Sequence, residues 1–412
     1  MFDDSLLKDI RARFAHVEDC PFQGPRIFFE NAGGALTLND VVATSAKFAA
    51  LPDNPGRANP AGQAAVEIIA KAKADAMTLF NAKDGQIFVG ESGTELTFRI
   101  LSAMILANKS APVIGSTVEH PASRSACERW CQEAGSSYIA VPHDDARGLV
   151  TPDDYAAYIK PDVRVATILH TSPVTGMGMD LEGIAAAIRA ISPECLIFVD
   201  GIQHASHGQI DVSAAGVDAY VVSPYKCFSR HGYGLAWISP RVADLSHDAL
   251  VGGPSDQWEL GTRDVGSYAT FSDVVAYFDW LGGQVSDATA PRDRIEAAGR
   301  AIHDHEKHLT NVMLKGTGNL PGLADMEGIS IVGDTDTPAR EGLVSFWKDD
   351  LDSEEIVTKL NAQGIRTHVR KADHYSGNIL TPLGQESCVR VSLCHYNSVE
   401  EVTQFLAAMK DI

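Results

Sequence analysis

The sequence predicts an α/β protein whose main sheet is mostly parallel and covered by helices on both faces. Three observations support this fold class. Short apolar runs alternate with helical patterns over much of the chain. The runs at 196–199 and 219–222 are apolar throughout and end at polar residues, which is typical of buried parallel strands. The chain has 412 residues, 45% apolar and 21% charged, enough for one large core and a smaller one.

The N-terminal part begins with an amphipathic helix at 4–18 and a strand at 26–30. A loop at 51–63 is rich in Pro, Gly and Asn, and its one cation, Arg57, is expected at the surface rather than in an active site. A helix follows at 63–81. Its apolar face is predicted to contain Val66, Ile69, Ala70, Ala74, Met77 and Phe80.

The central part supplies the main sheet. Its predicted strands lie at 86–90, 112–115, 137–142, 163–170, 196–199 and 219–222, with a hairpin strand at 231–239. Its predicted helices run from Thr94 to Leu106, 121–133, 180–191 and 274–281.

The composition shifts after Gly283, and no βαβ repeat follows a charged helix at 287–315. The remaining pattern predicts a small α+β unit. Its strands lie at 329–333, 343–348, 365–370 and 389–394, and its helices lie at 353–363 and from Ser398, the expected N-cap. We therefore expect an N-terminal segment (1–25) that packs with the small domain, a large domain (26–285) and a small C-terminal domain (286–412).

Charge and composition exclude several classes of protein. A formal net charge of −20 argues against nucleic acid or an anionic membrane as the main partner. No apolar run approaches the roughly 18 residues of a membrane span, and the N-terminus does not have the pattern of a signal peptide. Seven Cys are scattered along the chain and do not resemble a disulfide framework. A cytoplasmic protein is expected.

Two predicted strands end in chemically useful side chains. The run 196–199 ends at Asp200, and the run 219–222 leads through Ser223 to Lys226. Ligands of open α/β sheets bind beyond the carboxyl ends of the strands, so Asp200 and Lys226 should meet over one crevice. Lys beside Asp suits pyridoxal phosphate, because the amine forms a Schiff base and the carboxylate keeps the pyridinium nitrogen protonated. A helix-capping Asp and a solvated Lys are the plain alternative.

A second candidate feature follows the strand at 86–90. The turn from Glu91 to Thr94 contains Gly93 and opens a helix, and such a helix N-terminus favours phosphate. Together with Lys226 it is a candidate cradle for the cofactor phosphate, with Thr94 as the hydroxyl donor. A simple helix cap is the alternative reading.

Several motifs carry a resemblance to a known family. The segments VDGIQ…SPYK (199–226), FVGESGTELTF (88–98), STVEHPAS (116–123), GTRDVGSYA (261–269) and VRVSLCHYNSVEEV (389–402) resemble class V aminotransferases, in particular the cysteine desulfurase and selenocysteine lyase group. The resemblance implies the fold of a fold-type I pyridoxal-phosphate-dependent transferase, with a seven-stranded main sheet. It also implies that the protein is an enzyme.

The resemblance also implies roles for individual residues. Lys226 and Asp200 would act on the cofactor, and His120 would stack on the pyridine ring and move protons. Arg390 would bind the substrate α-carboxylate, and Thr262 would reach the phosphate of a neighbouring subunit, which implies a homodimer with shared active sites. The other cofactor-binding candidates are Gly93, Thr94, Gln203, Ser223 and Tyr225, and Ala32 and Gly33 would lie beside the substrate.

Two departures from the family pattern bear on the reaction. Desulfurases carry a nucleophilic Cys on a loop before the Arg, but the segment 366–387 contains none, and neither Cys388 nor Cys227 is at that position. Pro173 stands where desulfurases usually have Asn. We therefore expect a C–S or C–Se lyase that acts on a small amino acid without a protein persulfide, with a class V aminotransferase or an epimerase as the alternative.

Other functions fit the sequence less well. A nicotinamide oxidoreductase would need a complete G-x-G-x-x-G after a strand, which is absent. The combination of Asp200, Gln203, Lys226 and Arg390 argues against a non-catalytic protein. No metal site is predicted. The residues His303, His305 and His308 do not share one helix face. His204 and His207 have no Cys at ligand spacing and no carboxylate except Asp200.

Overall fold

The computed structural model describes residues 1–412 and is built around a seven-stranded sheet. The strands of this sheet are β1 (Gln86–Gly90), β2 (Val113–Ser116), β3 (Tyr138–Val141), β4 (Val165–Leu169), β5 (Leu196–Asp200), β6 (Ala219–Val222) and β7 (Gly234–Ile238). Their spatial order is β1-β7-β6-β5-β4-β2-β3. Only β7 runs antiparallel to its neighbours. The predicted mostly parallel sheet, with β7 as a hairpin strand, is confirmed.

The centre of this sheet positions the site. Strands β4, β5 and β6 are adjacent, parallel and buried along their whole length. Their register pairs Leu169 with Asp200 and Asp200 with Val221, so all three strands end at the same edge. Both Asp200 and the turn that carries Lys226 therefore lie at this edge.

Helices cover the sheet and connect its strands. The helices are α1 (Asp4–Arg11), α2 (Asn39–Ala49), α3 (Pro60–Phe80), α4 (Gly93–Ala107), α5 (Pro121–Ala134), α6 (Pro152–Tyr158), α7 (Leu181–Ile191), α8 (Val212–Ala215), α9 (Pro240–Ala243), α10 (Val265–Val285), α11 (Pro291–Lys315), α12 (Ser353–Ala362), α13 (Gly377–Leu380) and α14 (Val399–Lys410). Ser398 caps α14 as predicted, in a capping box with Glu401. None of these helices is long and apolar enough to cross a membrane.

A four-stranded antiparallel sheet forms the C-terminal unit. It contains β8 (Ile329–Ile331), β9 (Leu343–Lys348), β10 (His368–Lys371) and β11 (Ser387–Ser392), in the order β8-β9-β11-β10. The N-terminal segment contacts this unit, because Arg11 donates to the carbonyl of Tyr396 and pairs with Glu401. A short strand at Ile27–Phe28 also pairs in parallel with Ile365–Arg366. The domain boundaries at 25 and 285 stay a prediction.

Two helix boundaries differ from the sequence prediction. Helix α1 ends at Arg11 instead of continuing to residue 18, because Phe14 is buried and its backbone bridges to Leu38. Helix α10 begins at Val265 instead of residue 274. Asp264 caps it by accepting a hydrogen bond from the backbone N–H of Gly266 at 2.8 Å.

The predicted apolar face of α3 was right for Phe80, which is buried, and for Ile69 and Met77, which pack against the core, but it was wrong for the rest. Val66 is 43% exposed, and the buried face instead contains Ala65, Ala72, Ala76 and Leu79. This face packs against α10 and α11. Small Ala side chains allow helices to approach closely, and the helix is too uniformly apolar for periodicity to identify its buried side.

Candidate active site

One pocket at the carboxyl edge of the sheet contains most of the predicted cofactor-binding residues. Its lining comes from the ends of β4, β5 and β6, the N-termini of α4 and α5, and the turns that follow. The lining residues are Thr94, His120, Leu169, Pro173, Asp200, Ile202, Gln203, Ser223, Tyr225 and Lys226.

Asp200 is a buried carboxyl group at the end of β5, with 1% of its surface exposed. Its Oδ1 accepts a hydrogen bond from the backbone N–H of Ile202 at 3.1 Å. Burial raises the pKa of Asp200 to about 6, although the Ile202 N–H and the Lys226 charge both favour the carboxylate. A cationic group bound beside it would hold it ionised.

Lys226 ends the short turn after β6, and its side chain lies in the same pocket. Burial and the charge of Arg390 lower the pKa of Lys226 to about 8. Its Nζ donates to Oε1 of Gln203 at 3.5 Å, and no carboxylate lies within ion-pair distance. At a pKa of about 8 a minority of the lysine is uncharged near neutral pH, far more than at the ordinary value of 10.5, and the uncharged amine is the nucleophile.

His120 is the N-cap of α5, and its Nδ1 accepts a hydrogen bond from the backbone N–H of Ala122 at 3.2 Å. Burial, followed by the charges of Lys226 and Arg370, lowers the pKa of His120 to about 3. The ring is therefore neutral and carries its proton on Nε2. The preceding residue, Glu119, is also uncharged near neutral pH, because burial raises its pKa to about 8.

The turn before α4 is closely packed, which fits a binding site made from backbone groups. Ser92 caps the helix by accepting from the backbone N–H of Glu95. A Cβ added to Gly93 would lie 2.4 Å from Oγ of Ser223, so only Gly fits there. A Cβ on Gly234 of β7 would lie 2.4 Å from the carbonyl carbon of Ser92. Helix N–H groups and the hydroxyls nearby suit a phosphate.

Arg390 lies on β11 and is buried, with 3% exposure. Its Nη1 donates to the carbonyl of Pro173 at 3.1 Å, and its Nε has no partner in the protein. Gly33 lies against it, since a Cβ there would be 3.6 Å from Nη2. Ala32 is fixed by a hydrogen bond from its backbone N–H to Oγ of Ser392 at 2.9 Å. An unpaired buried guanidinium beside the pocket fits a carboxylate ligand.

Gly93, Arg390, Ala32 and Gly33 lie beside the residues that line this pocket, whereas Thr262 of the single chain lies elsewhere. It lines a different cavity of about 440 Å³, beside Leu51 and the N-terminus of α10. Arg57 is exposed in the chain, as expected.

The cysteines near the site are poor nucleophiles. Cys388 and Cys227 are 0% and 1% exposed. Burial raises the pKa of Cys388 to about 11 and that of Cys227 to about 12, so both thiols are protonated.

Sequence reasoning missed the partners of the turn after β5. His207 contacts Oε2 of Glu306 through Nδ1 at 2.7 Å, and His204 contacts Oε1 of Glu341 through Nδ1 at 2.8 Å. The Nε2 of His207 also lies 3.2 Å from the amide nitrogen of Gln203. Both carboxylates come from more than 90 residues along the chain. No local spacing could have identified them.

The sequence offers His207 no Cys and no carboxylate at ligand spacing except Asp200, but the fold brings both kinds of side chain to it from distant parts of the chain. Donor atoms of His207, Glu306 and Cys394 lie within 4.8 Å of one another, and all three residues are buried. Both nitrogens of the His207 ring are already engaged, with Glu306 and Gln203. Oε1 of Glu306 has no hydrogen-bond partner in the protein, and the expectation that no metal binds here stays a prediction.

Comparison with protein-family models gives one match. The model described as aminotransferase class-V matches residues 27–405. Among curated proteins, the chain is 25% identical over 406 residues to a cysteine desulfurase-like protein of Aspergillus flavus, covering 94% of this chain and 88% of that protein. It is 26% identical over 426 residues to an aminotransferase-like protein of Gibberella zeae, covering 98% of each.

Solved structures share the fold. An apo cysteine desulfurase from Thermococcus onnurineus has a TM-score of 0.80 at 20% identity, and the match covers 96% of each chain. The cysteine desulfurase CsdA from Escherichia coli has a TM-score of 0.78 at 22% identity, covering 100% of this chain and 98% of that one.

Proposed function

Because the chain belongs to the class V aminotransferase family, a family of pyridoxal-phosphate-dependent enzymes with fold type I, we propose that it cleaves a C–S or C–Se bond of a small amino acid. The main support for the cofactor assignment is that Lys226 and Asp200 line one pocket at the ends of adjacent parallel strands. Their chemistry fits the cofactor: a lysine of lowered pKa, a buried carboxyl group and a helix N-terminus beside them.

Each residue of the site has a proposed role. When bound, pyridoxal phosphate supplies an electron sink next to the substrate Cα. Lys226 would hold the cofactor covalently through Nζ, and its amine would move the proton at the substrate Cα. Asp200 would keep the pyridine nitrogen protonated, and neutral His120 would face the ring with its Nε2 proton available. Arg390 binds the α-carboxylate through its planar guanidinium.

The turn residues complete the proposed site. Gly93, Thr94 and Ser223 bind the phosphate, since they meet at the N-terminus of α4. Tyr225 and Gln203 contact the cofactor from the turns after β6 and β5. Ala32 and Gly33 place the substrate against Arg390.

The proposed release of sulfur or selenium needs no protein persulfide. Cys388 and Cys227 are buried and protonated, and the segment 366–387 has no cysteine. The alternative is an aminotransferase or an epimerase of the same family, because these reactions need no cysteine either.

Screening amino acids against the purified enzyme tests the proposal. Cofactor absorbance is followed together with sulfide, alanine, pyruvate and 2-oxo acid, and Lys226→Ala is the control that should give no turnover. We expect release of the sulfur or selenium group without a second substrate, as sulfide or selenide from a thiol or selenol and as sulfite from a sulfinate. A requirement for a 2-oxo acid with ping-pong kinetics would instead identify an aminotransferase.

We also propose a homodimer in which Thr262 completes the partner's phosphate site. Thr262 lies outside the pocket of its own chain and lines a cavity beside Leu51, which is 50% exposed. Mixing inactive Lys226→Ala subunits with Thr262→Ala subunits should restore activity at limiting cofactor, because one site in each mixed dimer is native. A fully active monomer in sedimentation would contradict this arrangement.

All seven cysteines are unpaired, which supports a reducing, cytoplasmic location.

A further inference from the structure

A second arginine lies on the same sheet face as Arg390. Strand β10 pairs with β11 so that Arg370 is opposite Cys388 and His368 is opposite Arg390. Opposite residues of an antiparallel pair share a face, and so do residues two apart along a strand. The four side chains therefore point to one side, while Val389 and Val391 point to the apolar core on the other side.

Arg370 has no acidic partner. Its Nε donates to Oγ of Ser376 at 2.8 Å, and its guanidinium lies 5.7 Å from the ring centre of Tyr375. Its terminal nitrogens make no hydrogen bond within the protein, and no carboxylate lies within 4.0 Å of them. Burial lowers the pKa of Arg370, and the nearby charge of Asp373 opposes this shift, but the two side chains do not form an ion pair.

Neighbouring basic side chains on this strand segment contact a carboxylate, and Arg370 does not. Arg366 pairs with Oε2 of Glu30 at 2.9 Å, and His368 lies 3.4 Å from Oε1 of the same residue. Lys371 contacts Glu354 at 3.2 Å, so among the basic side chains of β10 and β11 only Arg370 and Arg390 have no carboxylate within 4.0 Å.

Arg370 lies close enough to the active-site pocket for its charge to affect the groups there. Its charge contributes to lowering the pKa of both Lys226 and His120, and it also lowers that of Arg390. Arg370 and Arg390 form a diagonal pair across β10 and β11, and such pairs are separated by roughly 7–8 Å. A ligand whose two acidic groups are joined by two or three carbons can contact both guanidinium groups at once.

We propose that Arg370 is a specificity-determining residue that binds an oxyanion on the substrate side chain, so that the preferred substrate is an amino acid with a second acidic group. This inference rests on the proposed function, in which Arg390 takes the α-carboxylate. Arg370 then takes a side-chain carboxylate or sulfinate, and a neutral side chain leaves the Arg370 charge without a partner.

Binding of unreactive analogues to the cofactor-loaded enzyme tests the assignment. Succinate and its monoamide, succinamate, differ by one charge and lack the amine needed for reaction. Calorimetry should show succinate binding about 10–100-fold more tightly, the range of a hydrogen bond to a charged group. Arg370→Met should remove this preference, and Arg370→Lys should retain part of it. Arg366→Met removes a cation that is already paired with Glu30, and it should leave the preference unchanged.

Two results would overturn the inference: equal binding of the two analogues by the native enzyme, or an unchanged preference in Arg370→Met. The first needs no variant, so a variant that does not fold leaves the inference testable. Kinetics with L-aspartate and L-asparagine, and with cysteine sulfinate and cysteine, distinguish this failure from failure of the proposed function. If neutral amino acids react as well as acidic ones, only the role of Arg370 is wrong. If no amino acid alters the cofactor absorbance or reacts, the proposed function is wrong.

Discussion

Replacing Gly234 by Ala should weaken cofactor binding with little effect on the rest of the fold. The new Cβ would lie 2.4 Å from the carbonyl carbon of Ser92 and 2.6 Å from the backbone nitrogen of Gly93. Carbon atoms in contact prefer about 3.5–4.0 Å, so the backbone of this turn must move by roughly 1 Å. The turn opens α4 and is the proposed phosphate site.

The size of the effect follows from the cost of overpacking. Inserting a methyl group into a well-packed site costs about 1–3 kcal/mol. If this cost falls on the phosphate site, the dissociation constant of pyridoxal phosphate rises by about 5–150-fold. Titration of the apoenzyme with the cofactor, followed by absorbance, measures the constant, and far-UV circular dichroism checks that the variant is folded.

Gly283→Ala is the matched control. Its Cβ would meet nothing closer than the Nε of Arg294 at 3.8 Å, and Ala is favoured in the helix, so cofactor affinity should be unchanged. Should Gly234→Ala not fold, Gly93→Ala tests the same turn through a clash with Oγ of Ser223 at 2.4 Å. A folded Gly234→Ala enzyme that binds pyridoxal phosphate like the native protein would refute the reasoning.

Three further predictions concern catalysis and stability. Asp200→Asn should keep the cofactor but lower kcat by about 100-fold or more in steady-state assays, because it removes a preorganised charge, and near-normal turnover would contradict the role of Asp200. Cys388→Ser and Cys227→Ser should leave turnover largely intact, whereas loss of turnover with a trapped persulfide in the native enzyme would establish a desulfurase. Burial alone would raise the pKa of Glu341, but the charge and hydrogen bond of His204, with the charges of the neighbouring histidines, together lower it from 4.5 to about 2. The resulting stabilisation, about 3 kcal/mol, is present above pH 4.5 and is lost as the pH falls towards 2. Glu341→Gln should lower Tm near neutral pH and flatten the acid side of the Tm profile, and an equally steep profile would exclude this pair as the cause.

The sheet and the position of the pocket could be predicted because they depend on local pattern. Apolar runs of four or five residues identify buried strands, and parallel strands must end at one edge. The meeting of Asp200 and Lys226 follows from those two facts alone. The capping of α14 by Ser398 is also local, since its partner Glu401 is three residues away.

Features that depend on tertiary packing could not be predicted. The buried face of α3 is decided by which side meets α10 and α11, and a helix that is apolar on several sides gives no periodic signal for that choice. The contacts of His207 with Glu306 and of His204 with Glu341 join residues 99 and 137 positions apart. The position of Arg370 beside Arg390 could be found only from the strand register, because the two residues are neighbours only across β10 and β11.

The positive charge of the pocket links substrate binding to the reactivity of the lysine. Lys226 must be uncharged to bond covalently, and burial together with Arg390 and Arg370 lowers its pKa to about 8. The same surroundings hold His120 neutral, with a pKa of about 3. Anionic ligands that neutralise Arg390 and Arg370 remove part of this repulsion and raise the pKa of Lys226. The free site therefore contains more of the nucleophilic amine than an occupied site does, and the lysine of an occupied site holds its proton more firmly.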